Sequence, residues 1–173
     1  MPRFAKTLIF FSAVLFSHFS VAQTCDTPTT NHFIIHDDGT TQDTQTGLMW
    51  KRCSEGQTYQ LNECIGAPNR YNYYEALHHV ETSNSLGGFA GYTNWRVPHL
   101  KELSSLVDAN CTKPAIDLVT FPNTPLYDWF WSSSLCDKTK SCAWFVAFYS
   151  HYYGIFSEKR FSKGYIRLVR HQE

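Results

Sequence analysis

The stretch GYTNWRVPHLKELSSLVD, residues 91–108, decides the fold of this chain. Pro98 fixes its own φ and pushes Val97 into an extended conformation, so the chain changes direction at this corner. Beyond the corner, leucine and valine recur at helical spacing, which predicts a short amphipathic helix from about residue 98 to residue 107. The apolar face of this helix predicts a core on one side of the corner.

A rigid corner needs an internal anchor, and two side chains next to it are expected to provide one. We expect Trp95 to be largely buried, because a buried indole removes a large apolar area from water. We expect Arg96 to make a structural hydrogen bond near the segment Trp131-Ser132-Ser133. The corner therefore predicts that two distant parts of the chain meet.

Residues 1–22 predict a signal peptide, which leaves residues 23–173 as a single mature domain. Positive charges precede the apolar run LIFFSAVLF (8–16), and the small residues SVA (20–22) follow it. No later apolar stretch is long enough to span a membrane. We therefore expect an exported protein, periplasmic or extracellular, with no membrane span in its mature part.

All six cysteines follow the expected signal peptide, and an even number in an exported chain indicates disulfides. They are Cys25, Cys53, Cys64, Cys111, Cys136 and Cys142. Six cysteines allow about 15 pairings. Local spacing favours 53–64 and 136–142, which leaves 25–111 as a long-range link. No CxxC or Cys/His pair has zinc spacing, so we expect no metal site among them.

Hydrophobic periodicity predicts an α+β domain with two main helices and antiparallel strands. Asn72 is predicted to cap the first helix, with Glu75 as its capping-box partner, and the corner helix is the second. Strands are predicted at 32–36, 40–43, 48–53, 130–134, 143–150, 152–158 and 165–170. The last three are predicted to form an antiparallel meander. The chain between residue 53 and about residue 70 is predicted to be a loop.

These landmarks, in this order, resemble the Lcl C-terminal-domain family, a bacterial extracellular domain, from about His32 to Arg170. The matching elements are Asp43-x-x-Thr46-Gly47-Leu48-x-Trp50, Glu75-Ala76-Leu77, Trp95-Arg96-x-Pro98 with Lys101-Glu102-Leu103, Phe121-Pro122, Trp131-Ser132-Ser133 and Arg167-x-Val169-Arg170. The resemblance implies a compact C-type-lectin-like domain in which these motif residues are structural. The namesake domain ends a collagen-like surface adhesin. This chain has no collagen repeat, so trimerisation is not carried over.

Charge and motifs exclude several functions. Lysines and arginines equal aspartates and glutamates in number, 15 of each, which argues against nucleic-acid binding. The chain has no GxSxG, HExxH or phosphate-binding glycine loop, so we expect no catalysis and no cofactor. His78 and His79 are neighbours on a helix and point in different directions. Asp37-Asp38-Gly39 with Asp43 favours a hairpin turn over a calcium site.

Basic residues near the C-terminus are candidates for ligand binding. Guanidinium and ammonium groups bind sulfate and carboxylate, so Lys159, Arg160 and Lys163 are predicted to contact an acidic ligand. Arg167 and Arg170 are instead expected to pair with internal carboxylates. Aromatic residues make up 16% of the chain and cluster toward its end. Most are predicted to be core, and one or two are predicted to be exposed for stacking on sugar rings.

We therefore predict an exported, non-catalytic binding or adhesion module for an acidic or sulfated polysaccharide. One alternative is a structural or assembly component of a cell-surface apparatus, acting through contacts with a surface protein. A second alternative is an enzyme with an unrecognised site. An exposed aromatic groove beside basic residues would favour glycan binding, and a broad apolar patch would favour a protein partner. A closed pocket with convergent polar groups would favour an enzyme.

Overall fold

The structure is a computed structural model that describes residues 23–25, 32–149 and 153–172. The expected signal peptide lies outside the described residues. Within the described ranges there are two helices, α1 (Tyr73–Ser85) and α2 (Leu100–Ser104). The strands are β1 (Thr24–Cys25), β2 (Phe33–Ile35), β3 (Thr40–Asp43), β4 (Leu48–Lys51), β5 (Thr58–Gln60), β6 (Glu63–Ile65), β7 (Cys111–Thr112), β8 (Trp129–Leu135), β9 (Cys142–Ala147), β10 (Gly154–Lys159) and β11 (Val169–His171). No helix in this part of the chain is long and apolar enough to cross a membrane.

Two antiparallel sheets form the centre of the domain. The larger has the order β11-β4-β3-β2, and the other has the order β10-β9-β8. The short pairs β1-β7 and β5-β6 are separate. Two helices, antiparallel sheets and three disulfides confirm the predicted α+β domain.

The last strand does not belong to the predicted meander. The meander consists of β8, β9 and β10, whereas β11 joins the other sheet, where Val169 pairs with Trp50. Tyr165 still exchanges backbone hydrogen bonds with Trp129 and Trp131 of β8, so the segment before β11 crosses from one sheet to the other. Alternating apolar residues identify a strand but not its partner, which explains the error.

The strands separate two buried clusters because successive side chains point to opposite faces. On β4, Met49 faces a cluster under α1, while Trp50 faces a cluster under α2. On β8, Trp131 faces the cluster under α1, and Phe130 faces the cluster under α2. Each helix therefore covers one side of the strand layer.

The first helix forms as its sequence predicts. Asn72 Oδ1 accepts hydrogen bonds from the backbone N–H groups of Tyr74 and Glu75, at 3.0 and 2.9 Å. The Glu75 carboxylate accepts from the Asn72 backbone N–H at 2.8 Å, which completes the capping box. Tyr73 and Ala76 lie on the buried face of the helix.

At the corner, Trp95 is buried as predicted, with 3% of its surface exposed. Arg96 makes a structural hydrogen bond as expected, but its partner does not lie in the segment Trp131-Ser132-Ser133. Its guanidinium pairs with both carboxylate oxygens of Glu102, at 2.6 and 2.7 Å, because the first turn of α2 places that carboxylate nearer than the strand. Pro98 instead makes the contact with the other segment, since its carbonyl accepts the Ser133 N–H at 2.8 Å. The second helix is also shorter than the predicted residues 98–107.

The disulfides are Cys25–Cys111, Cys53–Cys64 and Cys136–Cys142, which confirms the pairing favoured by spacing. Between residues 53 and 70 the chain is not only loop, because β5 and β6 pair as a hairpin within it. Leu61 and Asn62 take positive φ at its tip. Neither residue is glycine, so the sequence carried a weak turn signal there.

Candidate functional site

The turn after β10 presents the predicted basic residues next to the start of α1. Lys159 is exposed at the end of the strand. The Arg160 guanidinium lies 4.6 Å from the centre of the Tyr74 ring, a cation–π distance. Lys163 Nζ lies 3.6 Å from a Glu75 carboxylate oxygen. The turn is therefore packed against the first turn of α1.

Of these three residues, Lys163 lines an open cleft of about 540 Å³ beside α1, which we call the α1 cleft. Its lining includes Arg70, Tyr71, Glu75, His78, His79 and Lys163. Both Arg70 and Lys163 are about half exposed, with 47% and 57% of their side chains accessible. The cleft therefore has two half-exposed cations at its rim.

A buried carboxylate underlies the cleft. Glu55 accepts a 2.7 Å bond from Lys51 Nζ, and its other oxygen lies 2.7 Å from His79 Nε2. Burial alone would raise the pKa of Glu55, but hydrogen bonds from His79 and Lys51 hold that pKa below its ordinary value. Because the carboxylate is ionised and can only accept, His79 Nε2 carries the shared proton. The ring of Tyr71 stacks 4.8 Å from the His79 ring.

A second depression, of about 300 Å³, lies close to the first and is lined by Tyr127, Asp128, Trp129 and Tyr149. We call it the aromatic depression. The Tyr127 side chain is 81% exposed, and Trp129 is partly buried against Phe145 at a ring distance of 5.2 Å. Three of the four lining side chains are aromatic, and the fourth is a carboxylate.

Arg70 connects the two depressions. It lines the α1 cleft, and its guanidinium forms an ion pair with Asp128 of the aromatic depression. The same guanidinium lies 5.9 Å from the centre of the Trp129 ring. Burial raises the pKa of Asp128, although the Trp129 N–H and Arg70 both favour the ionised form. The two depressions therefore share one charged contact.

Gly164 fixes the backbone at this junction. It exchanges backbone hydrogen bonds with Tyr71, at 2.8 and 2.9 Å, and so aligns the turn with the cleft. A Cβ at Gly164 would lie 2.6 Å from Cδ1 of Trp129. Only glycine permits the indole to lie this close to the backbone, so Gly164 positions both surfaces.

The other two basic residues of the motif are internal, but their partners differ from those expected. Arg167 is fully buried and donates to the carbonyl of Arg52 and to the Thr124 hydroxyl, the latter at 2.8 Å. Arg170 donates to Asn94 Oδ1 at 2.7 Å and lies 3.8 Å from the centre of the Tyr92 ring. Neutral acceptors and rings therefore replace the predicted carboxylates.

The acidic residues of the first hairpin serve its turns. Asp38 accepts from the Thr40 N–H and hydroxyl, at 2.9 and 2.6 Å. Asp43 accepts from the Gln45 N–H and the Thr46 hydroxyl, at 2.8 and 2.7 Å. These hydrogen bonds stabilise turns, as the sequence Asp37-Asp38-Gly39 predicted.

Potential metal ligands approach one another next to the third disulfide. In the part of the chain that the structure describes, one group of potential ligands lies close enough together, formed by Cys136, Asp137 and Cys142. Both cysteines are already joined in a disulfide, so they offer no thiolate.

The model of the Lcl C-terminal domain matches residues 39–170 of this chain. The matched range includes Arg70, Asp128 and Lys163, so both depressions lie within the domain. No curated protein matches the chain.

Proposed function

The chain belongs to the Lcl C-terminal domain family, and from that premise we propose that it is an exported module that binds an acidic or sulfated polysaccharide. Three disulfides and a family of extracellular domains are consistent with export. The proposal includes removal of residues 1–22 and a single mature domain, periplasmic or extracellular. The observation that supports ligand binding most directly is the exposed aromatic depression beside the basic α1 cleft.

The rim of the α1 cleft suits a polyanion. Lys163 is held only loosely, because its 3.6 Å distance from the exposed Glu75 exceeds ordinary hydrogen-bond length. Its ammonium group can therefore turn toward a sulfate or carboxylate at small cost. Arg70 presents a planar fork that matches the same groups. Binding through such exposed charges is expected to be weak and sensitive to salt.

Arg160 and Lys159 extend this surface past the start of α1. Phe161 is 80% exposed, and the centre of its ring lies 6.2 Å from the centre of the Tyr74 ring. The Arg160 guanidinium makes its cation–π contact with the same Tyr74 ring. A sugar chain leaving the cleft would meet both rings and charges here. The three predicted residues thus support one extended surface, with Lys163 in the cleft and the other two beside it.

We propose that the module is not catalytic. His79, the side chain best suited to general acid–base chemistry in the cleft, is bonded to Glu55, which is bonded to Lys51. These contacts make a neutralised structural network under the helix. The cleft above it is open to solvent, whereas catalytic sites usually exclude water.

A second candidate function is supported by the outer strand β10. Among the strands that the structure describes it has one neighbour, β9, and its exposed side chains include Ile155 and Phe156, which are 47% and 41% accessible. Exposed edge strands with apolar side chains are sites where another protein can add a strand. The observation supports the alternative of an assembly component acting through protein contacts.

The polysaccharide proposal is tested by retention of the mature protein on a heparin column. We expect retention at 0.1 M salt and elution well before 1 M, as the Debye length falls from about 10 Å to about 3 Å. The triple variant Lys159→Ser, Arg160→Ser, Lys163→Ser is expected to elute earlier. The control Lys101→Ser, Lys138→Ser, Lys140→Ser removes the same charge from exposed positions elsewhere and is expected to elute with the wild type.

Two results would contradict the proposal. One is flow-through of the wild type at low salt, which would favour the protein-contact alternative. The other is equal elution of the two triple variants, since retention would then depend on total charge alone. All proteins should first be matched by melting temperature.

A further inference from the structure

We infer that the aromatic depression is a second sugar subsite, which stacks a neutral pyranose ring beside the anionic sugar in the α1 cleft. This inference rests on the proposed function and makes it more specific. It predicts a ligand in which an acidic unit and a ring with an apolar face occur in neighbouring positions. The ligand class is therefore an acidic heteropolysaccharide bound along at least two units.

The lining side chains have the chemistry that sugar rings require. Within the residues that the structure describes, Tyr127 is 81% exposed, so its ring can lie along one face of a pyranose. Trp129 and Tyr149 add apolar area at the base, since both are partly buried against the core under α1. Aromatic surface with a few fixed polar groups is typical of ligand sites that need orientation as well as contact.

Asp128 supplies the fixed polar group. One of its oxygens accepts the Trp129 backbone N–H at 3.0 Å, and the other pairs with Arg70. A carboxylate has about four acceptor positions, so lone pairs remain for sugar hydroxyls. The backbone of Asp128 has a φ of 119°, a value that residues with a Cβ rarely adopt. The chain holds this carboxylate in place at a conformational cost.

The charge of the depression favours a neutral ring over an ammonium ligand. Aromatic sites with a free carboxylate suit quaternary ammonium groups. Here Arg70 neutralises Asp128, and its guanidinium already lies near the face of Trp129. A second cation would be repelled from this position, whereas an uncharged sugar would not.

The shared arginine explains why the two subsites act together. Arg70 faces the α1 cleft and bonds to Asp128, so an anionic unit bound at Arg70 lies next to the aromatic depression. Gly164 hydrogen-bonds to Tyr71 of the α1 cleft and lies against Trp129 of the aromatic depression, so it fixes the two depressions relative to each other. A bound chain is therefore expected to cross from one depression to the other over Arg70.

The test measures calorimetric affinity of the mature protein for a hyaluronan hexasaccharide, in which an acidic sugar alternates with a neutral one, and for trigalacturonate, in which every sugar is acidic. Tyr127→Ala is expected to weaken hexasaccharide binding about tenfold, equivalent to about 1.4 kcal/mol, while trigalacturonate binding is unchanged. Lys163→Gln is expected to weaken both. Leu61→Ala removes a side chain that is also highly exposed, 87%, and is expected to change neither.

Tryptophan fluorescence locates the contact. Trp50, Trp95 and Trp131 are buried, and the partly buried Trp144 does not line the depression. A change in emission on adding the hexasaccharide is therefore expected to disappear in Trp129→Phe and to persist in Trp144→Phe. Choline chloride serves as the ammonium probe and is expected to cause no change. A choline response that depends on Trp129 would assign the depression to a cation and overturn the sugar subsite.

The outcomes separate this inference from the proposed function. If Lys163→Gln weakens hexasaccharide binding and Tyr127→Ala does not, the second subsite is overturned and the acidic-polysaccharide proposal stands. If only Tyr127→Ala weakens it, the aromatic subsite is supported and the α1 cleft is not the anion site. If the wild type binds neither oligosaccharide, both are overturned.

Discussion

Lys159, Arg160 and Lys163 lie at the surface beside α1, whereas Arg167 and Arg170, only a few residues later, are enclosed by the core. Lys159 is exposed to solvent, Arg160 contacts a tyrosine ring, and Lys163 lies near a carboxylate. The last two are 0% and 2% exposed. The difference shows that the same residue type serves structure or binding according to what surrounds it, so the number of positive charges does not measure the binding surface.

The environment of Arg167 explains how a core accommodates a charge. Its guanidinium donates to neutral oxygens and lies 4.7 and 5.5 Å from the ring centres of Phe121 and Phe130. Burial, together with the nearby Arg52, lowers the pKa of Arg167 to about 9. The group therefore keeps its charge at pH 7, and backbone dipoles and rings stabilise it in place of water.

The largest effect is expected from Arg167→Ala, which should reduce the free energy of unfolding by about 3–5 kcal/mol. The substitution leaves a cavity and removes the donor that Thr124 and the Arg52 carbonyl share. Arg167→Met refills most of the volume and should cost less, about 1–3 kcal/mol, because only the hydrogen bonds are lost. Urea denaturation measures both. Equal stability of wild type and Arg167→Ala would show that Arg167 is not an internal support.

An intermediate effect is expected at Glu55, whose pKa lies below the ordinary 4.5 in the folded protein. The unfolded chain binds the proton more tightly, so this group stabilises the fold above pH 4.5 and that contribution is lost as pH falls through the folded pKa. Glu55→Gln should cost about 1–3 kcal/mol at pH 7. The gap between wild type and variant should narrow toward pH 3. Urea titrations at pH 3–7 measure it, and a gap independent of pH would exclude the ion pairing.

The smallest effect on stability is expected at Lys159. This side chain is exposed, so Lys159→Ser should change the free energy of unfolding by less than about 0.5 kcal/mol. Urea denaturation at pH 7 measures the change. A loss comparable to that of Arg167→Ala would erase the distinction between the two groups of basic residues.

Local signals in the sequence were sufficient for several elements. The capping box of α1 depends on residues within one turn, and spacing alone favoured Cys53–Cys64 and Cys136–Cys142. The position of Trp95 followed from the rigidity of the corner. Such local signals do not show which distant segment a residue or strand contacts. The predicted partners of Arg96 and of the last strand were wrong for this reason.

The candidate site was predicted only in part for the same reason. Lys163 was identified because it belongs to a basic cluster. Arg70, Asp128 and Trp129 come together from separate parts of the chain, and none of them stands in a recognisable motif. The pair of Glu55 and His79 was missed because the two residues lie 24 positions apart. Only the fold reveals that these side chains share one surface.

The position of β11 has a consequence for the order in which the molecule is assembled. Arg170 reaches Met49 across 121 positions, and Val169 pairs with both Trp50 and Arg96. None of these contacts exists until the ribosome has added residue 170, so synthesis must run nearly to the end of the described chain before the central sheet can close. Closing such a long loop is slow compared with forming local helices. Closure of the central sheet is thus a late event, and if the chain is exported as proposed, it would reach a translocation pore before this sheet has formed.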